Sequence, residues 1–228
     1  MSLFSPRMKL ADLIAANHKL ILILPRFDIP LGFGEKSVGE VCTANNVPVD
    51  FFLLICNVYT FDNFLPDLEL VAKTDMHPLV PYLKASHQYY TNERLPHIET
   101  HLHHIADRVE TKYGEILKRF FADFRNEITE HFIGEEQKEF PLLLRLQNGE
   151  KHPKTSLSNL EHTHDGLVDK LNDLTQIVYK YLPGNVLPEE TIELVFDILQ
   201  LSVDIQKHAL IEDKILIPYI KQLERSIK

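Results

Sequence analysis

Hydrophobic residues recur at helical spacing over long stretches of the second two thirds of the chain. The clearest stripe follows an i, i+3, i+4 pattern and consists of Ile116, Leu117, Phe120, Phe121, Phe124 and Ile128. The periodicity predicts four long helices, over residues 79–113, 114–146, 156–181 and 188–226. Short connections between long helices make neighbours antiparallel, so the sequence predicts an all-α, up-down-up-down four-helix bundle.

Proline and glycine break the first 75 residues into short elements, which we expect to be helices joined by turns. The predicted features are a helix between Pro6 and Pro25, a loop at residues 28–36, a capping box formed by Ser37 and Glu40, and a helix after Pro48. Pro78 and Pro81 mark the predicted domain boundary. We therefore divide the chain into a small helical N-terminal domain, residues 1–76, and the bundle, residues 77–228.

The overall composition is that of an ordinary globular protein. Of the 228 residues, 44% are hydrophobic and 25% are charged, and the formal net charge is -9. This charge, without a basic stripe, argues against nucleic acid and against an anionic membrane surface as partners. No cationic, apolar leader begins the chain and no apolar run reaches the roughly 20 residues that cross a bilayer. We expect a cytoplasmic protein, and the oligomeric state stays open.

The two cysteines, Cys42 and Cys56, lie in apolar stretches with helical character. Their spacing differs from that of a redox pair or a zinc site. We expect both to be small buried hydrophobic residues.

An internal repeat with an offset of 77 residues carries the candidate chemistry. A His-x3-Glu-x5-Pro pattern occurs twice, first with His131 and Glu135 and again with His208 and Glu212. The same offset relates His87 to His164. The apolar pairs that follow it are Leu83 with Leu160, Phe121 with Ile198, Phe124 with Leu201, Ile128 with Ile205, and Phe140 with Ile217. The repeat therefore predicts two helix pairs, each with one His on its first helix and a His and a Glu on its second.

Residues at i and i+4 lie on one face of a helix, so each His-x3-Glu pair presents a nitrogen and a carboxylate to the same point. Burying four imidazoles and two carboxylates costs too much free energy unless something compensates for the charge and the lone pairs. Metal ions do so. Two carboxylates suit a pair of metals that they bridge, and mixed imidazole and carboxylate ligation in a bundle favours iron or manganese over zinc. The predicted ligands are His87, His131, Glu135, His164, His208 and Glu212.

Two alternatives concern the third helix. His162 lies beside His164, but the position 77 residues before His162 is Ala85, so the repeat selects His164. A ferritin-type site would use Glu-x-x-His on two helices, and here only Glu161 with His164 has that spacing.

The segments around these ligands, at residues 86–96, 131–141, 161–165 and 208–212, resemble the hemerythrin-like HHE cation-binding family. More narrowly, the chain resembles the RIC family of iron-sulfur cluster repair di-iron proteins. The resemblance implies a hemerythrin-like bundle with two non-haem iron ions, an oxo- or hydroxo-bridged di-iron centre in which the two glutamates bridge. It also implies the diatomic ligands NO and O2, and iron-sulfur proteins as partners.

The N-terminal region departs from the RIC family. That family carries a Tyr-Asp-x-Asp-Tyr-Cys-Cys-Gly-Gly-like segment, whereas this chain has Gly32 and Phe33 where the cysteine pair would lie. We therefore expect no thiol-based step, while the di-iron chemistry stays intact.

Several residues near the predicted ligands have other interpretations. We expect Glu136, about 100° around the helix from Glu135, to point elsewhere. His97, His101, His103 and His104 crowd one helix as a polar face, with His101 as a candidate extra ligand. Tyr89 and Tyr90 are core aromatics, with a donor to a bound diatomic as the alternative.

The sequence supports two functions of different classes. The first is a redox-active protein that binds or reduces NO or O2 in the response to nitrosative and oxidative stress, with iron-sulfur cluster repair. The second is a hemerythrin-like sensor, carrier or iron-storage protein that binds without turnover. A metal-free bundle with chance histidines is a third reading, which metal analysis would test.

Overall fold

The computed structural model describes residues 3–150, 165–181 and 187–226. These residues are largely helical, and the one β feature among them is an isolated bridge between Lys9 and Ser37. The all-α fold class, a hemerythrin-like helical bundle with a helical N-terminal region, is confirmed. The α-helices are α1 (Leu10–Ala16), α2 (Val38–Ala44), α3 (Val49–Thr60), α4 (Leu68–Lys73), α5 (Leu79–Tyr89), α6 (Leu95–Ala106), α7 (Thr111–Gln137), α8 (Glu139–Gln147), α9 (Asp165–Tyr181), α10 (Pro188–Ile211) and α11 (Ile217–Ser226).

Two π-helical segments and two short 3-10 helices complete the described elements. The π segments are Tyr90–Arg94, between α5 and α6, and Glu212–Leu216, between α10 and α11. The 3-10 helices are His18–Leu22 and Pro25–Phe27. The predicted helix between Pro6 and Pro25 is therefore shorter than expected, since α1 ends at Ala16 and the chain continues as 3-10 turns.

The described residues form two compact units, each with its own core. The first contains residues 3–86, 142–150 and 210–226, and the second contains residues 87–141, 165–181 and 187–209. Each unit combines stretches that are far apart in the sequence. The division of the chain at residue 77 stays a prediction.

The first unit is built around the aromatic residues of α3. Phe27 meets Phe51 and Phe52 edge-on, at ring-centroid distances of 5.9 and 5.2 Å, and Tyr82 packs 4.9 Å from Phe27. The predicted capping box is present at the start of α2, because Ser37 accepts from the Glu40 backbone N–H and Glu40 accepts from the Ser37 backbone N–H. Cys42 and Cys56 are both free thiols buried in this unit, as predicted.

The second unit is organised by four helices that share one hydrophobic core. Helices α6, α7, α9 and α10 all contribute to it. Three of the apolar pairs related by the 77-residue repeat have both members in this core: Phe121 with Ile198, Phe124 with Leu201, and Ile128 with Ile205. Ile116, which the predicted stripe included, is instead 49% exposed.

Contacts between helices give their directions within this unit. Helices α6 and α10 run antiparallel, because Arg94, just before α6, bonds Asp197 in the middle of α10, while Arg108, just after α6, bonds Glu190 near the start of α10. Helices α6 and α7 also run antiparallel, since the Lys118 ammonium lies 2.6 Å from Asp107 and Arg125 pairs with Glu99. These directions agree with the predicted up-down arrangement.

Candidate metal centre

Each described helix that carries a predicted ligand is irregular just beyond it. Proline has no backbone N–H and its ring clashes with the carbonyl four residues earlier. Pro141 lies four residues after Gln137, where α7 ends. Pro96 and Pro218 each follow a π segment by two residues, and such segments are frequent at functional sites. The prolines therefore explain why these helices deviate close to His87, Glu135 and Glu212.

Three predicted ligands from three helices converge in the second unit. Ligand atoms of His87, Glu135 and His208 all lie within 4.8 Å of one another, and each of these residues is at most 2% exposed. The Nε2 atoms of His87 and His208 are 3.0 Å apart, and Nε2 of His87 lies 3.3 Å from Oε2 of Glu135. This group combines two imidazoles with a carboxylate in a buried place.

A fourth predicted ligand, His131, contacts the other oxygen of the Glu135 carboxylate. Its Nε2 atom lies 3.0 Å from Oε1 of Glu135, one helical turn away on α7. The His131 side chain is 14% exposed, more than that of its neighbours in the group. The two oxygens of Glu135 thus face two different histidines.

Glu212 follows His208 by four residues in the same helical run and begins the second π segment. It is 2% exposed. The four-residue spacing of the second His-x3-Glu pair is the spacing that puts two residues on one helix face. The remaining predicted ligand, His164, lies outside the described residues, as do Glu161 and His162 of the two alternatives.

Glu136 contacts the site, so the expectation that it points elsewhere is wrong. Its Oε1 atom lies 2.9 Å from Nδ1 of His87. The reason is that the His87 ring of α5 lies against both glutamates of α7. Glu135 contacts its Nε2 atom, and Glu136 contacts its Nδ1 atom. An acidic residue directly after a predicted ligand was the only sequence signal for this contact.

The His87–Glu136 pair indicates how the site is charged. In a neutral His87 ring, the carboxylate partner favours the proton on Nδ1, which leaves the Nε2 lone pair facing His208 and Glu135. A lone pair aimed at a carboxylate and at another imidazole nitrogen is unfavourable unless a cation or a proton lies between them. The donor set therefore fits a metal ion, and iron is compatible with it.

Aromatic side chains cover His87. Phe132 stacks on its ring at a centroid distance of 4.0 Å and an interplanar angle of 16°, and Phe140 lies at 5.5 Å. Tyr90 is fully buried and its hydroxyl donates to the backbone carbonyl of Asp204 at 3.3 Å. These contacts support the packing interpretation of Tyr90 and exclude bulk water from the ligand group.

The histidines of α6 are not part of this group. His101 turns its Nδ1 atom to Asp197 of α10, at 3.6 Å, and His97 approaches the same carboxylate. His103 and His104 are exposed. The structure thus associates His101 with Asp197 rather than with the buried ligands.

Comparison with known families agrees with this geometry. The family model of the hemerythrin HHE cation-binding domain matches residues 79–220, more than half of the chain. The chain belongs to the hemerythrin HHE cation-binding family. Neither the comparison with curated proteins nor that with solved structures finds a significant match.

Membership in this family, together with the buried ligand group, makes the protein a metal-binding protein with iron as the expected ion. Within the described residues, no helix combines the length and the apolar character needed to cross a membrane. The cytoplasmic location stays a prediction.

Proposed function

We propose that the protein holds two non-haem iron ions through His87, His131, Glu135, His164, His208 and Glu212, and that it binds or reduces NO or O2. The observation that carries the proposal is the position of Glu135. Its Oε1 atom faces His131 at 3.0 Å and its Oε2 atom faces His87 at 3.3 Å. A carboxylate flanked in this way supports a bridge between two ions better than a single mononuclear site.

The repeat supports the same stoichiometry. Each half of the bundle supplies one glutamate and two histidines, so that two irons would share two bridging carboxylates and receive about two imidazoles each. When bound, a pair of ferrous ions supplies open coordination positions and two electrons for a diatomic ligand. In this proposal, Glu212 is the second bridging carboxylate and His164 completes the set.

The side chains around the ligands have defined tasks in this proposal. Glu136 holds the His87 ring so that Nε2 faces inward. Phe132 and Phe140 lie flat against that ring and keep water away from it. A buried ligand group covered by apolar rings suits an uncharged diatomic ligand and disfavours larger anions.

The physiological role follows from the resemblance to the RIC proteins. We propose a part in the response to nitrosative and oxidative stress, with repair of damaged clusters in partner iron-sulfur proteins. The absence of a cysteine pair, where the chain has Gly32 and Phe33, favours a second candidate. In that candidate the protein is a hemerythrin-like sensor, carrier or iron store that binds O2 or NO without turnover.

Anaerobic reconstitution with Fe2+ tests both candidates. We expect two irons per chain in the parent protein and loss of this stoichiometry in Glu135→Ala, with His103→Ala as the matched histidine control. Exposure to NO or O2 then separates the functions, because nitrous oxide or water as product supports turnover, and a reversible adduct alone supports binding. One iron or none per chain, unaffected by the Glu135 substitution, would contradict the di-iron proposal.

A further inference from the structure

A second group of potential ligands lies on the outer side of the bundle. His97 and His101 are four residues apart on α6 and therefore share a helix face. Nε2 of His97 lies 3.1 Å and Nδ1 of His101 lies 3.6 Å from the same atom, Oδ2 of Asp197 on α10. Both imidazoles thus approach one carboxylate oxygen from the neighbouring helix, with their ring centroids 6.5 Å apart.

Arg94 fixes the carboxylate of this group. Its Nη2 atom donates to Oδ1 of Asp197 at 3.0 Å and lies 3.3 Å from both the Asp197 carbonyl and Oε1 of Gln200. The Arg94 and Asp197 side chains are only 15% and 20% exposed, so the pair is held in place. Arg94 therefore occupies one carboxylate oxygen and leaves Oδ2 to the two histidines.

We propose that His97, His101 and Asp197 bind a divalent first-row transition metal ion. Two histidines and one carboxylate on one side of an ion, with the other positions open, form a recognised ligand set for such metals. The His-x3-His spacing puts both imidazoles on one helix face. The exposed ring of His97 turns toward His101 when both bind one ion, because the ring centroids are 6.5 Å apart without it. The side chain of His97 is 58% exposed and that of His101 16%, so an ion can enter from solvent and still meet a partly buried ligand.

This site is distinct from the buried one and does not depend on the proposed di-iron function. His97 follows His87 by ten residues, which corresponds to about 15 Å along a helix. The Nε2 atom of His87 faces His208, whereas His97 faces Asp197. Filling the buried site with iron therefore leaves the outer group available.

Calorimetric titration of the full-length, iron-loaded protein with Zn2+ under anaerobic conditions tests the site. We expect one zinc ion to bind per chain, with an affinity that falls about tenfold or more in His101→Ala and in Asp197→Asn. His103→Ala provides the control, because His103 is an exposed histidine of the same helix. Circular dichroism of each variant checks that the helices are retained.

Zinc binding that is unchanged in His101→Ala and Asp197→Asn, or equally weakened in His103→Ala, would overturn the proposal. The absence of zinc binding by the parent protein would overturn it as well, and would leave the cluster as an ion-paired surface between α6 and α10. Because iron content is measured separately, a failure at this site is distinguishable from a failure of the di-iron centre.

Discussion

Nδ1 of His87 lies 2.9 Å from Oε1 of Glu136, while Nε2 of the same ring lies 3.3 Å from Oε2 of Glu135. Two consecutive glutamates therefore hold opposite edges of one imidazole. Metal-ligating histidines usually donate their other N–H to a carboxylate or a carbonyl, which fixes the ring and raises its basicity. Glu136 has that relationship to His87.

Replacing Glu136 should weaken iron binding without unfolding the bundle. We expect Glu136→Ala to lower the iron affinity by about 10- to 100-fold, because the ring loses its orienting partner. Glu136→Gln should lose less, since the amide oxygen still accepts a hydrogen bond. Competition with a chelator measures the affinity, and Glu130→Gln, an exposed neighbour on α7, is the control. Equal affinities of Glu136→Ala and the parent would show that the contact does not orient a ligand.

Removal of a carboxylate that we propose to bridge two irons should have a different effect from removal of His162. We expect Glu135→Ala, and likewise Glu212→Ala, to abolish the coupled pair of irons, because two cations at close range need the shared negative charge. His162→Ala should be nearly silent, since the repeat excludes His162 as a ligand. Mössbauer and absorption spectra of anaerobically reconstituted variants report the coupling. A coupled signal that survives in Glu135→Ala would exclude the bridge.

The sequence predicts the members of the buried group better than their environment. The 77-residue repeat indicates His131, Glu135, His208 and Glu212 because identical functions on repeated helices need identical spacing. Four of the six predicted ligands come together within the second unit, namely His87, His131, Glu135 and His208. Glu136 could not be predicted in this way. Its contact depends on where α5 approaches α7, and helix periodicity gives the angle of a side chain but not the neighbour it meets.

The regularity of the helices was overestimated for a similar reason. A continuous stripe predicted one helix through residues 114–146, whereas α7 ends at Gln137 and α8 begins at Glu139. Pro141 indicates the break, but the apolar periodicity continues across it. For the two π segments, Pro96 and Pro218 are likewise the signal that the sequence offers.

Metal binding should make the thermal stability of the protein depend on pH. Ligation requires neutral imidazole and ionised carboxylate, so protons compete with iron as the pH falls through the range in which histidine titrates. We expect iron to raise the melting temperature at pH 7 and to have little effect at pH 5. Thermal scans with and without a chelator at the two pH values measure the difference. The same response to chelation at both values would exclude this coupling.

The two buried thiols should resist alkylation in the folded protein. Burial raises the pKa of Cys42 to about 12, and burial with the neighbouring Cys42 raises the pKa of Cys56 well above its ordinary value. Because the thiolate is the nucleophile, iodoacetamide at pH 8 should react slowly until denaturant is added. Fast labelling of Cys56 in the native protein would contradict this prediction.

The same shifts give a stability prediction with a definite sign. A thiol that stays protonated in the fold to about pH 12, but ionises near 9.0 when unfolded, stabilises the fold below pH 9.0. This contribution is lost as the pH rises from 9.0 toward 12. Over that pH interval, the free energy of unfolding should therefore fall less in Cys42→Ala than in the parent protein. Denaturant titrations at several alkaline pH values measure it, and parallel losses in both proteins would show that Cys42 does not titrate as argued.

The core of the second unit should depend on its repeat-related aromatic residues rather than on exposed ones. Phe124 is 1% exposed and belongs to the shared core of the four helices, whereas Phe196 on α10 is 68% exposed. Phe124→Ala should lower the free energy of unfolding by about 3–5 kcal/mol, since it removes buried apolar area and leaves a cavity. Phe196→Ala makes the same chemical change at the surface and should cost less than about 0.5 kcal/mol. Urea titrations of iron-free protein measure both, because bound metal would add its own stabilisation.

A large loss in Phe196→Ala would mean that this side chain is covered in solution, while a small loss in Phe124→Ala would mean that the four helices do not share one close-packed core.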